Sequence, residues 1–469
     1  MSQVPTNKPF PKPISFRKLL GPSFIILALG LGSGEVILWP FLSSNYGLGI
    51  AWGALLGITF QFFINMEIER YALIKGESVF VGINKIFPRA AYWFILSTFL
   101  GFGLPGIVAA AAAIFGFVFG IEDFRWIAIG LLLIIGFMLS AGRTVYGTME
   151  NITKTIITIG IPFVIVLAAV LTTKTDWTAL GQGLLGIGDG YAFVPAGLSL
   201  ATLLAAFAYS GAGGNLNLTQ SIYIKEEGYG MGAYSQKISG LFKNIKNKQE
   251  IKLTGESFEL TDENIKNFKA WWKKINLEHL LVFWLVGFVG ISVLMVLAFS
   301  TTFGLSSNAQ GISFVINEGV IIGEQVTPLV GILFLLVVAV MLFQTQLGVM
   351  DSTSRIMAEN VALKKVDHGK PVNLSKIYFT FVWAQIMFGI ALFLFNISEP
   401  RFLIVLGAVI NAVAMFVHIG LVNWTNHKLL PKILRPHWFR KMVLMIIFLF
   451  FGIFSTITIG DVILGIIPS

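Results

Sequence analysis

The chain has 469 residues, of which 55% are hydrophobic and only 12% are charged, and it carries a formal net charge of +9. A soluble globular protein has about 25% charged residues, so this composition excludes a water-soluble enzyme. The sequence contains no cysteine, which excludes a disulfide framework, a thiolate nucleophile and any cysteine-based zinc or iron–sulfur site.

Residues 1–18 are rich in proline and lysine and are predicted to form a cytoplasmic N-terminal tail. Beyond the tail, the apolar runs are long enough to cross about 30 Å of hydrocarbon, which predicts an all-α integral membrane protein. We expect eleven transmembrane helices, numbered here as spans 1 to 11. They cover residues 19–41, 47–68, 90–119, 126–142, 151–172, 197–222, 280–301, 327–350, 377–396, 402–424 and 442–465.

The basic residues are distributed unevenly between the two sides of the membrane. With a cytoplasmic N-terminus, the outside segments contain only Arg125, Lys174 and Arg401 of the 33 lysine and arginine residues. The positive-inside rule therefore predicts a multi-pass protein of the cell membrane whose N-terminus is cytoplasmic and whose C-terminus is extracytoplasmic. Because topology accounts for the positive charge, we expect the lipid bilayer as a partner and no nucleic acid.

Two of the spans contain a cluster of glycines followed by a polar side chain. Span 1 has the sequence GLGSGE at residues 30–35, and span 6 has SGAGGN at residues 210–215. Several glycines in one turn unwind a helix at little cost. In a membrane the freed backbone groups are tolerated only where they line a cavity or hold a substrate. The predicted substrate-binding residues are Gly32, Ser33, Gly34, Glu35, Ala212, Gly213, Gly214 and Asn215.

Close packing of small residues between helices is the alternative use of such glycines. Packing accounts for glycines spaced along one face, but it does not account for two contiguous clusters that each end in Glu or Asn, so we favour broken helices around a substrate site. The two clusters lie five spans apart. This spacing predicts two inverted five-helix repeats, residues 19–172 and 197–424, followed by an additional helix at 442–465.

Residues 225–279 form a sizeable soluble insert on the predicted cytoplasmic side. Glu250–Leu260 alternates apolar and polar residues, which predicts a short pair of strands. Thr261 is then predicted to cap an amphipathic helix. The apolar face of this helix contains Ile265, Phe268, Trp272 and Ile275. That face lies either on the inner leaflet or on the protein's own cytoplasmic surface.

Several short motifs resemble the Nramp family of metal-ion transporters. They are Gly21-Pro22-Ser23-Phe24, Lys75-Gly76-Glu77, Asn215-Leu216 and Thr425-Asn426-His427-Lys428-Leu429. The resemblance covers most of the chain outside the insert. It implies a LeuT-type fold with eleven or twelve spans and secondary-active transport by alternating access.

The metal-binding motifs of that family are not retained. The family's Asp-Pro-Gly-Asn of span 1 falls on residues 32–35, so Gly32 replaces the ligating aspartate and Glu35 replaces the asparagine. Its Met-Pro-His of span 6 falls on residues 212–214, and its glutamine of span 10 falls on Ala408. The usual ligand set for manganese and iron is therefore absent.

Glu35 and Asn215 are the candidate metal ligands that remain. One carboxylate with neutral oxygens suits a hydrated hard cation or Na⁺ better than a dehydrated transition metal ion. The same groups suit an organic amine, with Glu35 as its counter-ion. Gly-Ser-Gly in span 1 also resembles the motif by which amino-acid transporters of this fold hold a carboxylate. We therefore expect a small cation as the transported species, with a small organic solute as the alternative.

Other polar residues within the spans are predicted to have coupling or secondary roles. They are Asn217, Gln344, Gln346, Asn411 and His418. Asp351 is expected to belong to an ordinary polar cluster at the inner end of span 8. Glu67, Glu69 and Arg70 at the inner end of span 2 are expected to be gate or snorkelling residues.

The sequence contains no nucleotide-binding glycine loop, no His-Glu-x-x-His and no Gly-x-Ser-x-Gly, the motifs of ATPases, zinc proteases and serine hydrolases. We therefore expect neither an enzyme nor a bound cofactor, and transport driven by an ion gradient or by the solute's own gradient. A channel is less favoured because repeated selectivity-filter residues are missing.

Overall fold

The computed structural model describes residues 7–16, 19, 21–30, 32–141, 145–188, 191, 193–235, 252–309, 311–367 and 372–464. In this part of the chain the fold is all-α, and the one β-type pairing is an isolated bridge between Asn7 and Ser257. The predicted strand pair over Glu250–Leu260 is therefore wrong for residues 252–260. Apolar and polar side chains alternate there, but the backbone forms no ladder of hydrogen bonds between strands. Residues 250 and 251 lie outside the described residues.

The helices of the first predicted repeat follow one another with short connections. They are α1 (Gly21–Gly30), α2 (Trp39–Tyr46), α3 (Ala51–Lys75), α4 (Val79–Ile86), α5 (Ala90–Phe102), α6 (Gly106–Phe119), α7 (Phe124–Ala141) and α8 (Val145–Leu171). Helix α9 (Lys174–Leu185) follows and lies between the two predicted repeats.

The remaining helices form the second predicted repeat and the C-terminal part. They are α10 (Leu200–Ala208), α11 (Thr219–Glu227), α12 (Asp262–His279), α13 (Val286–Thr302), α14 (Ser313–Gln325), α15 (Pro328–Asp367), α16 (Leu374–Leu394), α17 (Pro400–Leu429) and α18 (Trp438–Leu464).

Among the described residues, seven helices are long and apolar enough to cross a membrane, and the number rises to nine if each of two bent pairs is one span. One bent pair joins α1 to Gly34–Tyr46 at 43°, and the other joins the end of α8 to α9 at 115°. Predicted span 4 corresponds to the shorter apolar helix α7, and predicted span 6 is divided between α10 and α11. The total of eleven spans stays a prediction.

Both glycine clusters break their helices, as the sequence predicts. In span 1, α1 ends at Gly30 and a π-helical turn begins at Gly34. In span 6, α10 ends at Ala208 and the helix resumes with a 3₁₀ turn, Gly214–Leu218. Gly213 has φ +70°, a left-handed conformation that glycine adopts without strain. The break in span 6 therefore depends on glycine at this position.

Helix α15 extends well beyond the predicted end of span 8, to Asp367. Asp351 therefore lies in the middle of a helix, and its expected position in a cluster at a helix end is wrong. Its carboxylate pairs with Arg355 at 2.9 Å and accepts a hydrogen bond from the Tyr378 hydroxyl at 2.6 Å. The apolar run of span 8 ends where this buried polar group begins, although the helix continues.

The insert is continuous with span 7. Thr261 caps α12, as predicted, by accepting a hydrogen bond from the backbone N–H of Asn264. A π-helical turn, Leu280–Leu285, joins α12 to α13 without interruption. The apolar face of α12 is buried through Phe268 and Trp271, so it packs on the protein itself and not on the inner leaflet.

The N-terminal tail is the segment that covers this face. Phe10 is buried against α12, with its ring 6.0 Å from that of Phe268. Side chains of α12 also hold the backbone of the tail. Asn267 donates to the carbonyl of Phe10, Trp271 to that of Pro11 and Lys274 to that of Ile14, at 3.2, 3.0 and 2.7 Å. Tail and insert thus form one packed unit.

The substitution Trp271→Ala is expected to lower the stability of this unit by about 3 kcal/mol, because it removes a fully buried indole and its hydrogen bond to the tail. The measurement is the apparent melting temperature of the detergent-purified protein, together with protease sensitivity of the tail. Trp438→Ala is the matched control, since Trp438 is 64% exposed. Equal effects of the two substitutions would contradict this packing.

Candidate functional site

Glu35 lies between the two broken spans. Its side chain is fully buried, and neither carboxylate oxygen has a hydrogen-bond partner in the described part of the chain. A Cβ atom built on Gly30 would lie 2.7 Å from Glu35 Oε1 and 2.6 Å from the carbonyl carbon of Gly211. The carboxylate therefore sits where the backbone of span 1 meets the backbone of span 6.

The glycines of span 1 allow this close approach. A Cβ atom on Gly34 would lie 1.6 Å from the carbonyl oxygen of Tyr209, and one on Gly32 would lie 2.4 Å from Oγ1 of Thr345. Thr345 in turn donates a hydrogen bond to the carbonyl of Ala28 at 3.1 Å. These glycines serve close packing as well as unwinding, so the two uses of glycine occur together here.

Asn411 on α17 contacts the glycine cluster of span 6. A Cβ atom on Gly214 would lie 2.2 Å from Asn411 Oδ1. The amide nitrogen of Asn411 donates to the carbonyl of Gly101 at 3.1 Å and to the hydroxyl of Tyr209 at 2.9 Å. Asn411 Oδ1 has no hydrogen-bond partner among the described residues. This predicted secondary residue thus lies directly beside the break.

Asn215 and Asn217 bind neighbouring helices through their amide nitrogens. Asn215 donates to Ser97 Oγ at 2.8 Å and to Thr98 Oγ1 at 2.9 Å, both on α5. Asn217 donates to Gln61 Oε1 on α3 at 2.5 Å. The side-chain oxygens of both asparagines have no partner in the described part of the chain, so both retain free acceptor atoms within the fold.

The described part of the chain does not assemble a preformed set of acidic metal ligands. In the described residues, no group of three or more His, Asp and Glu side chains could hold a metal ion. The two predicted metal ligands have different surroundings, because Glu35 faces the backbone of Gly30 and Asn215 is bound to α5. A cation at Glu35 would therefore take its other ligands from backbone carbonyls, amide oxygens or water.

The other predicted polar residues are also buried, but their surroundings differ. Gln346 lines a small cavity beside Tyr209, and its Oε1 has no partner among the described residues. The cavity has room for about one water molecule. Gln344 is also buried on α15. His418 is fully buried, and neither ring nitrogen has a partner in the described chain.

The site is closed to solvent on both sides. Glu35 and Asn215 are fully buried, and Ser33 and Ala212 are no more than 2% exposed. An open groove of about 860 Å³ lies at the ends of α6, α7 and α17, and none of the predicted site residues lines it. The described residues of the candidate site are therefore shielded from solvent in this structure.

Sequence reasoning missed several residues that surround the breaks. They are Gln61, Ser97, Thr98, Tyr209 and Thr345, each of which contacts a predicted site residue. Two of them had a signal, because Tyr209 directly precedes the glycine cluster of span 6 and Thr345 lies between the two predicted glutamines. The others lie on α3 and α5, where only the folded structure brings them to the site.

Comparison of the sequence with known protein families finds no match, and comparison with curated proteins finds none either. Solved structures do match. A mutant of the Eremococcus coleocola manganese transporter has a TM-score of 0.70 and 12% identity, covering 100% of this chain and 93% of that chain. The same transporter in complex with an aromatic bis-isothiourea substituted compound has a TM-score of 0.66 and 13% identity, with 98% and 90% coverage.

A transporter of a different kind is also similar. Mhp1, a nucleobase-cation-symport-1 family transporter in a closed conformation with bromovinylhydantoin bound, has a TM-score of 0.51 and 12% identity, covering 95% of this chain and 92% of that chain. At such identities the likeness concerns the fold. The predicted LeuT-type fold of an integral membrane protein is thereby confirmed.

The substitution Gly34→Ala is expected to destabilise the protein by at least about 2 kcal/mol, because the added methyl group would overlap the Tyr209 carbonyl and the two broken spans would have to separate. Thermal unfolding followed by size-exclusion chromatography measures the effect. Gly130→Ala on α7 is the control, since a Cβ atom there has nothing within 4 Å. A Gly34→Ala protein as stable as Gly130→Ala would show that the segments are not in contact.

Proposed function

We propose that the protein is a secondary-active transporter that moves a small cation across the membrane by alternating access, and that the cation binds at Glu35. The observation that supports this proposal is the fully buried carboxylate of Glu35, neither of whose oxygens has a hydrogen-bond partner among the described residues. An ionised carboxylate buried without a partner is costly. A cation entering between the broken spans removes that cost.

The groups around Glu35 favour a hard cation. The unwound backbone offers carbonyl oxygens, such as that of Tyr209 against Gly34, and the chain has no cysteine. Oxygen ligands with a single carboxylate suit Mg²⁺, Ca²⁺ or Na⁺, or a divalent ion that keeps part of its water shell. A partly hydrated divalent metal ion is our first candidate, in keeping with the manganese transporter of similar fold.

A small organic solute with an amino group is the second candidate. Glu35 is an isolated carboxylate, and no acidic metal cluster exists in the described chain. Mhp1, which is similar in fold, has an organic ligand bound. An ammonium group would pair with Glu35, and a carboxylate on the same solute would accept from backbone N–H groups freed by the breaks.

The broken helices provide the movement that alternating access requires. The two halves of span 1 are bent by 43° at the unwound segment. In span 6, α10 is separated from α11 by an unwound segment followed by the 3₁₀ turn Gly214–Leu218. Half-helices joined by unwound backbone can tilt separately while the site between them stays intact. Because the site is closed in this structure, binding and release require both an outward-open and an inward-open arrangement.

Ligand binding at Glu35 is tested by thermal shift. The detergent-purified protein is screened against Mg²⁺, Mn²⁺, Ca²⁺, Na⁺ and a panel of amino acids. A ligand at about a hundred times its dissociation constant adds about 2.7 kcal/mol of stability. We expect a divalent ion to stabilise the native protein, and we expect Glu35→Gln to lose this shift because the amide cannot neutralise the cation.

The control is Glu318→Gln. Glu318 on α14 is also buried, and its Oε1 has no hydrogen-bond partner in the part of the chain that the structure describes. It lies outside the candidate site, so its substitution should preserve the shift. Stabilisation by amino acids alone would favour the second candidate. A divalent-ion shift that survives in Glu35→Gln would show that the cation binds elsewhere.

A further inference from the structure

A second group of buried polar side chains lies near the break in span 6, where α1, α3 and α12 meet. Its members are Ser23 on α1, Asn65 and Glu69 on α3, and Glu278 and His279 at the end of α12. All five are no more than 3% exposed. We call them the carboxylate–histidine cluster.

Hydrogen bonds within the cluster determine the protonation state of its histidine. His279 Nε2 lies 3.3 Å from the amide nitrogen of Asn65, whose Oδ1 accepts from Asn217 at 2.7 Å. The amide nitrogen can only donate, so Nε2 is an acceptor and the ring proton is on Nδ1. Nδ1 lies 2.8 Å from Ser23 Oγ, which donates to Glu278 Oε2 at 2.6 Å, and 3.3 Å from Glu69 Oε1.

The cluster therefore contains a neutral histidine between two carboxyl groups. Glu69 Oε2 and Glu278 Oε1 have no hydrogen-bond partner in the described part of the chain. These two oxygens are the free positions at which a proton can be held. Gln220 on α11 occupies the other oxygen of Glu69, donating to it at 2.6 Å.

Among the described residues, the charged side chains on the neighbouring helices leave this region one positive charge short. Arg70 and Arg440 both bind Glu67, at 2.7 and 3.2 Å, and Arg440 also interacts electrostatically with Glu69. With Glu67, Glu69 and Glu278 ionised, three negative charges face two positive ones. A single proton makes this buried region neutral, and neutrality avoids the cost of an uncompensated charge.

The other helices around the cluster do not change this balance. Helix α1 has no titratable side chain. On α11, Lys225 and Glu226 lie further along the helix, and Glu226 pairs with Arg355 of α15 at 3.4 Å. On α12, Lys274 donates to the tail at Ile14.

A chain of hydrogen bonds connects the cluster to the break in span 6. Asn217 donates to both Asn65 and Gln61, at 2.7 and 2.5 Å. Gln61 donates to the carbonyl of Ala208 at 3.0 Å, where α10 ends. A change in the protonation of the cluster can therefore be transmitted through these hydrogen bonds to the unwound segment that packs against Glu35.

We propose that the carboxylate–histidine cluster binds the proton that couples transport to a pH gradient, and that this proton holds α1 against α12. With the proton bound, the buried region is neutral and Ser23 ties α1 to Glu278 and His279. When a carboxyl group releases the proton to water, the negative charge left behind is relieved by hydration, so α1 separates and this side of the protein opens. The inference rests on the proposed transport function and names its coupling ion.

The experiment measures the opening of α1 by thiol labelling of the detergent-purified full chain. Because the sequence has no cysteine, Leu27→Cys gives a single reactive thiol on α1. Leu27 packs against Gly287 of α13 and becomes accessible only when α1 moves. Thr254→Cys, at an exposed position, corrects for the pH dependence of the thiol itself. We expect the corrected labelling rate to rise from about pH 5 to about pH 8, by at most about tenfold per pH unit for release of one proton.

Variants in the Leu27→Cys background locate the proton. Glu278→Gln should label slowly at every pH, because the amide mimics the protonated acid. Ser23→Ala should label faster at low pH, because the hydroxyl that ties α1 to the cluster is lost. This variant tests the proposal independently if Glu278→Gln does not fold. Glu318→Gln, buried but remote, should keep the native pH profile.

A flat profile in the native background would overturn the proposal. So would an unchanged pH dependence in Glu278→Gln, or a labelling rate that follows Na⁺ concentration and not pH. The labelling needs no transported solute. A failure of the solute screen at Glu35 is therefore distinguishable from a failure of the coupling site.

Discussion

The direct contact between two unwound backbone segments is the constraint on which the rest of this structure depends. In an apolar environment, backbone groups that leave a helix must be satisfied inside the protein. Here the segments meet at Gly34 and Tyr209 and at Gly30 and Gly211, and only glycine permits the approach. Surrounding helices supply side chains that hydrogen-bond or pack at these breaks. These side chains are Gln61 of α3, Ser97 of α5, Thr345 of α15 and Asn411 of α17.

Two centres of buried carboxyl groups lie near the break in span 6. Glu35 has no hydrogen-bond partner in the described chain, whereas Glu278 accepts from Ser23 and Glu69 lies beside His279. A charge that must be neutralised from outside makes the conformation depend on what binds. Both centres are linked to the same unwound segment, so in the proposed transport cycle occupation of one changes the environment of the other. That is the requirement for coupling two species in one cycle.

The sequence was sufficient to predict the two broken helices, because a glycine cluster is a local property. It was not sufficient to predict which residues the breaks would face, since Tyr209 and Thr345 meet them only in the folded chain. Glu69 was expected at a gate or snorkelling to the interface, but it is buried because α12 and α11 cover it. On α12, periodicity placed Trp272 on the apolar face, whereas Trp271 is the buried indole. The tail that covers this face is distant from α12 in the sequence, so the periodicity of α12 could not predict the contact between them.

Docking of the tail on α12 has a mechanical consequence for α1. The tail is held as far as Ile14, and α1 begins at Gly21. From Ile14 to Gly21 there are seven residue steps, which cannot span more than about 25 Å when fully extended. The tail is therefore a tether of fixed maximum length, and α12 is its anchor because α12 continues through a π-helical turn into α13. Displacement of the N-terminal end of α1 is limited to the slack in this tether for as long as the tail stays docked.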